Sequence, residues 1–448
     1  MVQRSGSANL PLHGGRVPAW LGERMTRLGA VMTEAIVHHY GRREFLRRMS
    51  NPFWFQSFGA VMGMDWHSSG ITTSVIGSLK RGLTPLAGEL GIRVCGGRGK
   101  HSRQTPQELV AAGMAAGFDG QALASASKLV AKVDSAAVQD GFELYLHGFI
   151  VTDDGDWVVV QQGMNETSHQ ARRYHWLSEG LDSFVDAPHA AIDGRSGGAI
   201  VNLADRRAER SRLAQLSLLG DLGPDRLAQE CAAVEDRGRM PLRQTMLPHL
   251  DLPDHHDVRA GDVVLRRLHG TLAAAADAGP KDFTELLMVP GVGARTVRSL
   301  AFVAEVIHGT PCRFSDPARY SLAHGGKDGH PYPVPIKVYD ETIRVLKDAV
   351  GNAKLGREEK LDAVRRLDAQ ARKLERDATG PSFEQHLADE RRNSHLYGGR
   401  TVMGWAAPPS SDAPSRREER DSGAGRAAVA PSSGDARLQP SFLGNFAK

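Results

Sequence analysis

Residues 141–164 read GFELYLHGFIVTDDGDWVVVQQGM. Polar and apolar side chains alternate here, and β-branched and aromatic residues dominate, a pattern that predicts strands. Asp153-Asp154-Gly155-Asp156 interrupts the alternation with a strong turn signal, so the two halves are expected to pair as an antiparallel hairpin. Upstream, Leu21, Met25, Leu28, Met32 and Ile36 recur at helical spacing until Pro52 breaks the run. The stretch from Phe53 to Leu83 is apolar and dense in small residues, so it is expected deep in the fold. Residues 91–106, GIRVCGGRGKHSRQTP, read as a glycine- and arginine-rich loop, followed by helix over about 107–133. AIVNL at 199–203 is expected to add a short strand.

Beyond residue 204 the chain reads as helix: charged over 205–240, then 259–278, then on to about 308. The predicted fold class is α+β and mainly helical, with a small antiparallel sheet in an N-terminal domain and a second, helical domain. The expected boundaries are 1–246 for the first domain, 247–258 for a linker and 259–350 for the helical domain. A charged amphipathic helix is expected over 351–395. The Pro-, Ser- and Ala-rich tail at 406–448 is expected to be disordered, because it cannot bury enough apolar surface to order itself.

Composition excludes several classes. Three cysteines in 448 residues, with no CxxC, argue against a disulfide scaffold or a cysteine-rich zinc ribbon. No apolar run is long enough for a transmembrane helix, and the N-terminal residues lack a signal-like apolar core. A cytoplasmic protein with no membrane partner is the expectation. A net charge of +4, with arginine outnumbering lysine 44 to 12, suits phosphate contacts but does not demand them.

The motif with the most specific mechanics is KDFTELLMVPGVGARTVRSLAFVAEVIH, residues 281–308. A short helix should end near Met288. Pro290-Gly291-Val292-Gly293 should form a tight turn, and a second helix should start at Ala294. The second helix would point its N-terminal N–H groups and positive dipole end outward, as a cradle for phosphate. Leu286, Leu287, Val292, Val297, Leu300, Ala301 and Ala304 are expected to pack the pair together. This segment resembles the helix-hairpin-helix motif of nucleic-acid-binding proteins. Gly291, Val292, Gly293, Arg295 and Thr296 are therefore expected to contact a nucleic-acid backbone without sequence preference. In base-excision glycosylases bearing this motif a catalytic aspartate follows a little over twenty residues later, which implies Asp316 here; a simple helix N-cap is the other reading of Asp316. The lysine of the bifunctional enzymes is replaced by Arg295, which argues against Schiff-base chemistry.

Longer segments carry a second resemblance: LPLHGGRVPAWL (10–21), SNPFWFQSFGAVMGMDWHSSGITTSVIGSLKRGL (50–83), VCGGRGKHSRQTP (94–106), DSAAVQDGFELYLHGFI (134–150), QQGMN (161–165) and SLAHGGKDGHPYPVP (321–335). Together they resemble domain-of-unknown-function family 763 of archaea and bacteria, over roughly residues 1–350. That resemblance implies no reaction, so chemistry must be sought in the residues.

Asp65 and His67, beside Trp66, could form a general-base pair or ligate a metal; they could equally cap the helix that follows. Arg98 and Lys100 in GGRGK could hold a phosphate, although the spacing is not that of a nucleotide P-loop. Asp134, Asp140 and Glu143, with Gln161, suggest the carboxylate set of a metal-dependent nuclease. Such a set would take Mg²⁺ or Mn²⁺, but the expected lysine is missing. His249, His255 and His256 fit a polar linker better than a metal site, and Lys327 in GGKDG could extend a phosphate-binding face. The leading expectation is a DNA-binding protein of genome maintenance, acting as a nuclease or base-processing enzyme, with RNA as an alternative partner. The other candidates are a non-catalytic binding module and an enzyme on a small phosphorylated substrate.

Overall fold

The computed structural model describes residues 10, 11, 17, 19–64, 69–194, 196–239, 260–318, 336–352, 356 and 358–365, and eight residues between 388 and 405. Residues 1–378 form one compact unit and residues 379–448 a second, in which the described strands Arg400–Thr401 and Gly404–Trp405 pair antiparallel. The first unit is a mixed α+β structure, mainly helical, as the sequence predicts.

Its elements run in this order. Strand β1 (Leu10–Pro11) precedes helices α1 (Ala19–Tyr40), α2 (Arg42–Ser50), α3 (Pro52–Val61), α4 (Gly70–Leu83) and the short α5 (Ala87–Leu90). Strand β2 (Ile92–Arg98), helices α6 (Lys100–Ala116) and α7 (Gly120–Lys132), and a π-helical turn at Val133–Ala137 follow. Strands β3 (Val138–Gln139), β4 (Glu143–Thr152), β5 (Trp157–Asn165), β6 (Gln170–Leu177), β7 (Ala191–Asp193) and β8 (Ala199–Asn202) come next. The chain continues as α8 (Glu209–Arg239), α9 (Ala260–Ala278), α10 (Phe283–Met288), α11 (Ala294–His308), β9 (Arg313–Ser315) and α12 (Ile336–Asn352).

Local sequence explains the main breaks. Pro52 occupies the first turn of α3, and the Asn51 side chain accepts hydrogen bonds from the Phe53 and Trp54 N–H groups. Asp119 caps α7 by accepting from the Ala122 N–H, after α6 stops at Gly117 in a left-handed conformation. The charged helix α8 is kinked at Gly223-Pro224.

The predicted hairpin is β4–β5, joined across Asp153–Asp156. It sits at the centre of an antiparallel sheet of order β1-β6-β5-β4-β2, with β7 added to β6. Both sheet faces are covered, so both sides of the alternation are buried. One face carries Phe149, Val159, Tyr174 and Trp176 and packs on α6, α7, the π-turn and α8–α11. The other carries Ile92, Leu146, Ile150, Val158 and Val160 and packs on α1–α4 and α12. A bulge between Leu144 and Leu146 turns both Tyr145 and Leu146 toward this second face.

The segment 91–106 departs from its expected loop: it is edge strand β2 running into α6. Gly96 serves close packing between strands. Gly96 has φ +84°, and a Cβ there would lie 2.2 Å from the His147 carbonyl oxygen. Strands β1, β3, β6, β7 and β9 are not expected from the sequence, nor is the pairing of β8 (the predicted AIVNL strand) with β3 and β9 in a second small sheet. The helices expected to form a separate domain after residue 258 share the core of the first face: Leu272, Leu286, Leu300 and Cys312 pack with Val133, Leu203 and Leu227. The linker, most of the charged helix and the tail lie outside the described residues. Residues 358–365 are helical, with Ala363 buried in the second core.

Candidate functional site

The segment 281–308 folds as two helices around a tight turn. Asp282 caps α10 by accepting from the Glu285 N–H (2.8 Å), and Glu285 accepts from the Lys281 N–H in return (2.7 Å). All seven apolar residues expected to pack this pair are buried. Between the helices, Pro290 and Gly291 are exposed and Val292 is fully buried. Gly291 has φ +89°, a left-handed conformation that favours glycine, and lies against Thr271 of α9. Gly293 heads α11 without a side-chain cap, in extended backbone, and a Cβ there would meet no atom within 4 Å.

The turn is anchored from behind. The Lys132 ammonium donates to the Val292 carbonyl, and Gln139 Nε2 donates to the Ala294 carbonyl at 2.8 Å. Of the remaining expected contacts, Arg295 is half-buried and Thr296 is buried; Arg298, one turn further on, is exposed.

The carboxylates expected to act together are held apart, each by its own partners, along one face of β6. Alternation on that strand points Arg172, Tyr174 and Trp176 the same way. Trp176 Nε1 donates to Asp134 Oδ2 (2.9 Å), as does Gln161 Nε2 (2.5 Å), and His189 Nε2 lies 2.5 Å from Asp134 Oδ1. Tyr174 Oη (2.6 Å) and Arg172 (2.7 Å) both donate to Asp140 Oδ2. Burial raises the Asp140 carboxyl above its ordinary value, while Arg172, Tyr174 and the Phe142 N–H pull the other way. Arg172 also pairs with Asp316 at 2.8 Å, bridging the two carboxylates, and Asp316 accepts from the Gly197 and Ala318 N–H groups.

Asp316 is therefore a buried partner of Arg172, directly after strand β9. The residues described after it, Pro317 and Ala318, are not helical, unlike the glycosylase pattern. Glu143 is exposed at the start of β4. Among the described residues no group of three or more His, Cys, Asp or Glu is placed to hold a metal ion, so the Mg²⁺ or Mn²⁺ set of Asp134, Asp140 and Glu143 is not assembled.

From Asp134 the network continues through the sheet. Gln161 donates to Asp134 through its nitrogen, so its oxygen accepts from His147 Nδ1–H (2.7 Å), which leaves Nε2 to accept from the Ser127 hydroxyl (2.9 Å). On the opposite face Arg173 donates to Asp193 (2.6 Å), Gln56 (2.9 Å) and His175 Nε2 (3.0 Å), while His175 Nδ1 faces the Met49 carbonyl. Burial pushes both imidazoles below their ordinary range, and the neighbouring Arg173 lowers His175 further. Every hydrogen bond of these networks satisfies a buried group, which is a structural task.

Arg98 and Lys100 are exposed, Arg98 at the end of β2 with its guanidinium 5.8 Å from the Tyr145 ring centre. Gly96 and Gly97 belong to strand β2, and Gly99 alone makes the turn into α6, so the expected glycine-rich loop is a single-residue turn. Asp65, His67, Lys327 and the His249, His255 and His256 group lie outside the described residues.

The model of the family described as "Protein of unknown function (DUF763)" matches residues 6–334. The chain belongs to this family. Comparison with curated proteins and with solved structures gives no match. The DUF763 match spans both faces of the central sheet and the α10–α11 pair, and it stops before α12. None of the described helices of this DUF763 chain is long and apolar enough to cross a membrane.

The sequence reading missed Arg172, Arg173, Tyr174, Trp176 and His189. The available signal was ARRYHWL itself: two arginines and a histidine amid bulky aromatics, one turn after the hairpin.

Proposed function

We propose that this protein binds nucleic acid through the Val289–Gly293 turn and the first turn of α11, with DNA as the first expectation and RNA as the alternative. The observation that carries this is the open, glycine-built approach to an uncapped helix N-terminus. Pro290 and Gly291 face solvent, and nothing lies within 4 Å of the Cβ position of Gly293. Such a surface suits a phosphate oxygen approaching backbone N–H groups along the positive end of a 15-residue helix. Its resemblance to the helix-hairpin-helix motif supports the same reading. Contacts of this kind grip backbone and not base edges, so binding is without sequence preference.

Asp134, Asp140 and Asp316 are occupied by buried donors, which favours a grip over metal-dependent strand cleavage as the role of this part of the molecule. Genome maintenance remains the setting that the resemblance implies. The test is anisotropy of labelled duplex, single-stranded DNA and RNA at stepped salt, with wild type beside the Gly291→Ala/Gly293→Ala double variant. Binding that weakens with salt and is lost in the variant is the expected result. Absence of binding at low salt, or full binding by the variant, refutes the proposal.

A further inference from the structure

A cleft of about 1120 Å³ opens between α1, α4 and the end of the sheet at Arg98, Tyr145 and Met164. Helix α4 has two chemically different sides. Ile71, Val75, Ile76, Leu79 and Leu83 are buried in the core. Thr73, Ser74, Gly77, Ser78 and Arg81 line the cleft at helical spacing.

Two cations on the cleft are positioned by neutral groups. Arg81 donates to the Thr26 (3.2 Å) and Ser78 (3.1 Å) hydroxyls, and Arg98 lies over the Tyr145 ring. No carboxylate pairs with either guanidinium among the described residues. Lys80, one residue before Arg81, shows the contrast, because Glu108 neutralises it at 2.7 Å. A guanidinium held by hydroxyls and left without a counter-ion is ordered in advance for an anion, and its forked donors match a phosphate.

The rest of the wall is mixed: Leu21, Met25, Met64 and Met164, with the Tyr145 ring, give apolar surface, and Glu23, Thr26, Arg27 and Ser69 line the cleft as well. Gln162 is fully buried on the same strand face as Met164, two residues away, and neither amide atom has a partner among the described residues. The cleft thus combines a cationic, hydroxyl-rich part with thioether and aromatic surface suited to a flat ring.

We propose that this cleft binds a nucleotide unit, either a free nucleoside monophosphate or the 5′-phosphorylated end of a strand, with Arg81 and Arg98 taking the phosphate and Tyr145 and the methionines taking the base. The cleft belongs to the second core, on the other side of the sheet from the hairpin turn, and the proposal stands without the hairpin reading.

The test is calorimetric binding to the full-length protein. The probes are a nucleoside monophosphate, its nucleoside, inorganic phosphate, and one oligonucleotide with a 5′-phosphate or a 5′-hydroxyl. The expected result is at least tenfold tighter binding of the monophosphate than of nucleoside or inorganic phosphate, or the same preference for the 5′-phosphorylated strand. The first outcome identifies a free nucleotide and the second a strand end. R81Q/R98Q should weaken that binding tenfold or more with an unchanged melting temperature, and Gly77→Leu, which fills the cleft without altering charge, should do the same. Gly293→Ala should leave monophosphate binding and the ratio of 5′-phosphate to 5′-hydroxyl affinity unchanged, which separates failure here from failure of the hairpin grip. No binding of any phosphorylated probe at millimolar concentration overturns the proposal. Inorganic phosphate binding as tightly as the monophosphate does so too, as does undiminished binding by R81Q/R98Q.

Discussion

Alanine at Gly293 should separate the proposed backbone grip from the stability of the fold. Gly293 has φ −147° and ψ −172°, extended backbone that alanine adopts freely, and the added methyl meets no protein atom within 4 Å. Two small effects on stability oppose each other. Alanine restricts the unfolded chain, which stabilises by about 0.4–1 kcal/mol. Alanine is also a poorer N-cap than glycine, which costs about as much. The net change should fall within about 0.5 kcal/mol. Binding should respond differently, because the methyl stands where a phosphate oxygen would approach the first turn of α11. Losing one hydrogen bond to a charged oxygen costs about 1.5–3 kcal/mol, or about 10- to 100-fold in Kd. Gly291→Ala is the informative contrast. Its φ of +89° and the Thr271 hydroxyl 3.2 Å from the new Cβ impose strain of about 1–2 kcal/mol, so stability and binding should fall together. The assay is anisotropy of a labelled duplex at fixed low salt, beside thermal melts of each variant. If Gly293→Ala melts like wild type and binds duplex equally well, no phosphate sits at that helix end and the reasoning fails.

Three further outcomes are expected. Arg172→Leu removes the shared cation of Asp140 and Asp316 and leaves two buried carboxylates uncompensated, so urea unfolding should show a loss of about 3–5 kcal/mol; a loss under about 1 kcal/mol would show that the pairing is unimportant. His147 and His175 titrate lower in the folded chain than in the unfolded one, so below about pH 6.5 the unfolded state binds more protons. Their contribution is therefore intact above that pH and is lost as pH falls toward the folded values. Asp140, raised by burial, acts with the opposite sign in the carboxylate range. NMR titration of both imidazoles should fall below the ordinary histidine range, and a normal titration near 6.5 would contradict their burial. The thiols of Cys95 and Cys312 are pushed up to about 12 by burial, and Cys231 is buried as well. Ellman's reagent at pH 8 should find no reactive thiol in the native protein and all three after denaturation; one fast thiol in the native protein would contradict the packing.

The hairpin strands and the α10–α11 turn were legible because each writes its geometry locally. Alternation around Asp153–Asp156 needs only neighbours, and Pro290–Gly293 needs only a turn between two apolar stripes. β6 was not legible, because Arg172, Arg173 and His175 occupy buried positions that the pattern reserves for apolar side chains. The two arginine charges are tolerable only because Asp140, Asp316 and Asp193 arrive from distant segments, and one sequence cannot show that pairing. β2 was hidden for a different reason. Gly96 and Gly97 look like loop residues, yet Gly96 is there because the His147 carbonyl leaves no room for a Cβ. The partners of the carboxylates were no more legible: Arg172 joins Asp140 to Asp316 across 176 residues of sequence, and no local pattern announces that contact.

Helix α12 lies beyond the end of the family match at residue 334, yet Val345, Leu346, Ala349 and Val350 are buried in the second core with Met25 and Phe55. Burying four such side chains contributes about 5–8 kcal/mol, as much as the whole net stability of many domains. During synthesis, the apolar surface of α1 and α3 must wait on the ribosome for about 300 further residues before its cover is translated, at about 5–20 residues per second. The nascent chain is thus obliged to carry an open hydrophobic face for some tens of seconds, a natural client for a chaperone. An expression product trimmed at the family boundary would carry that face permanently.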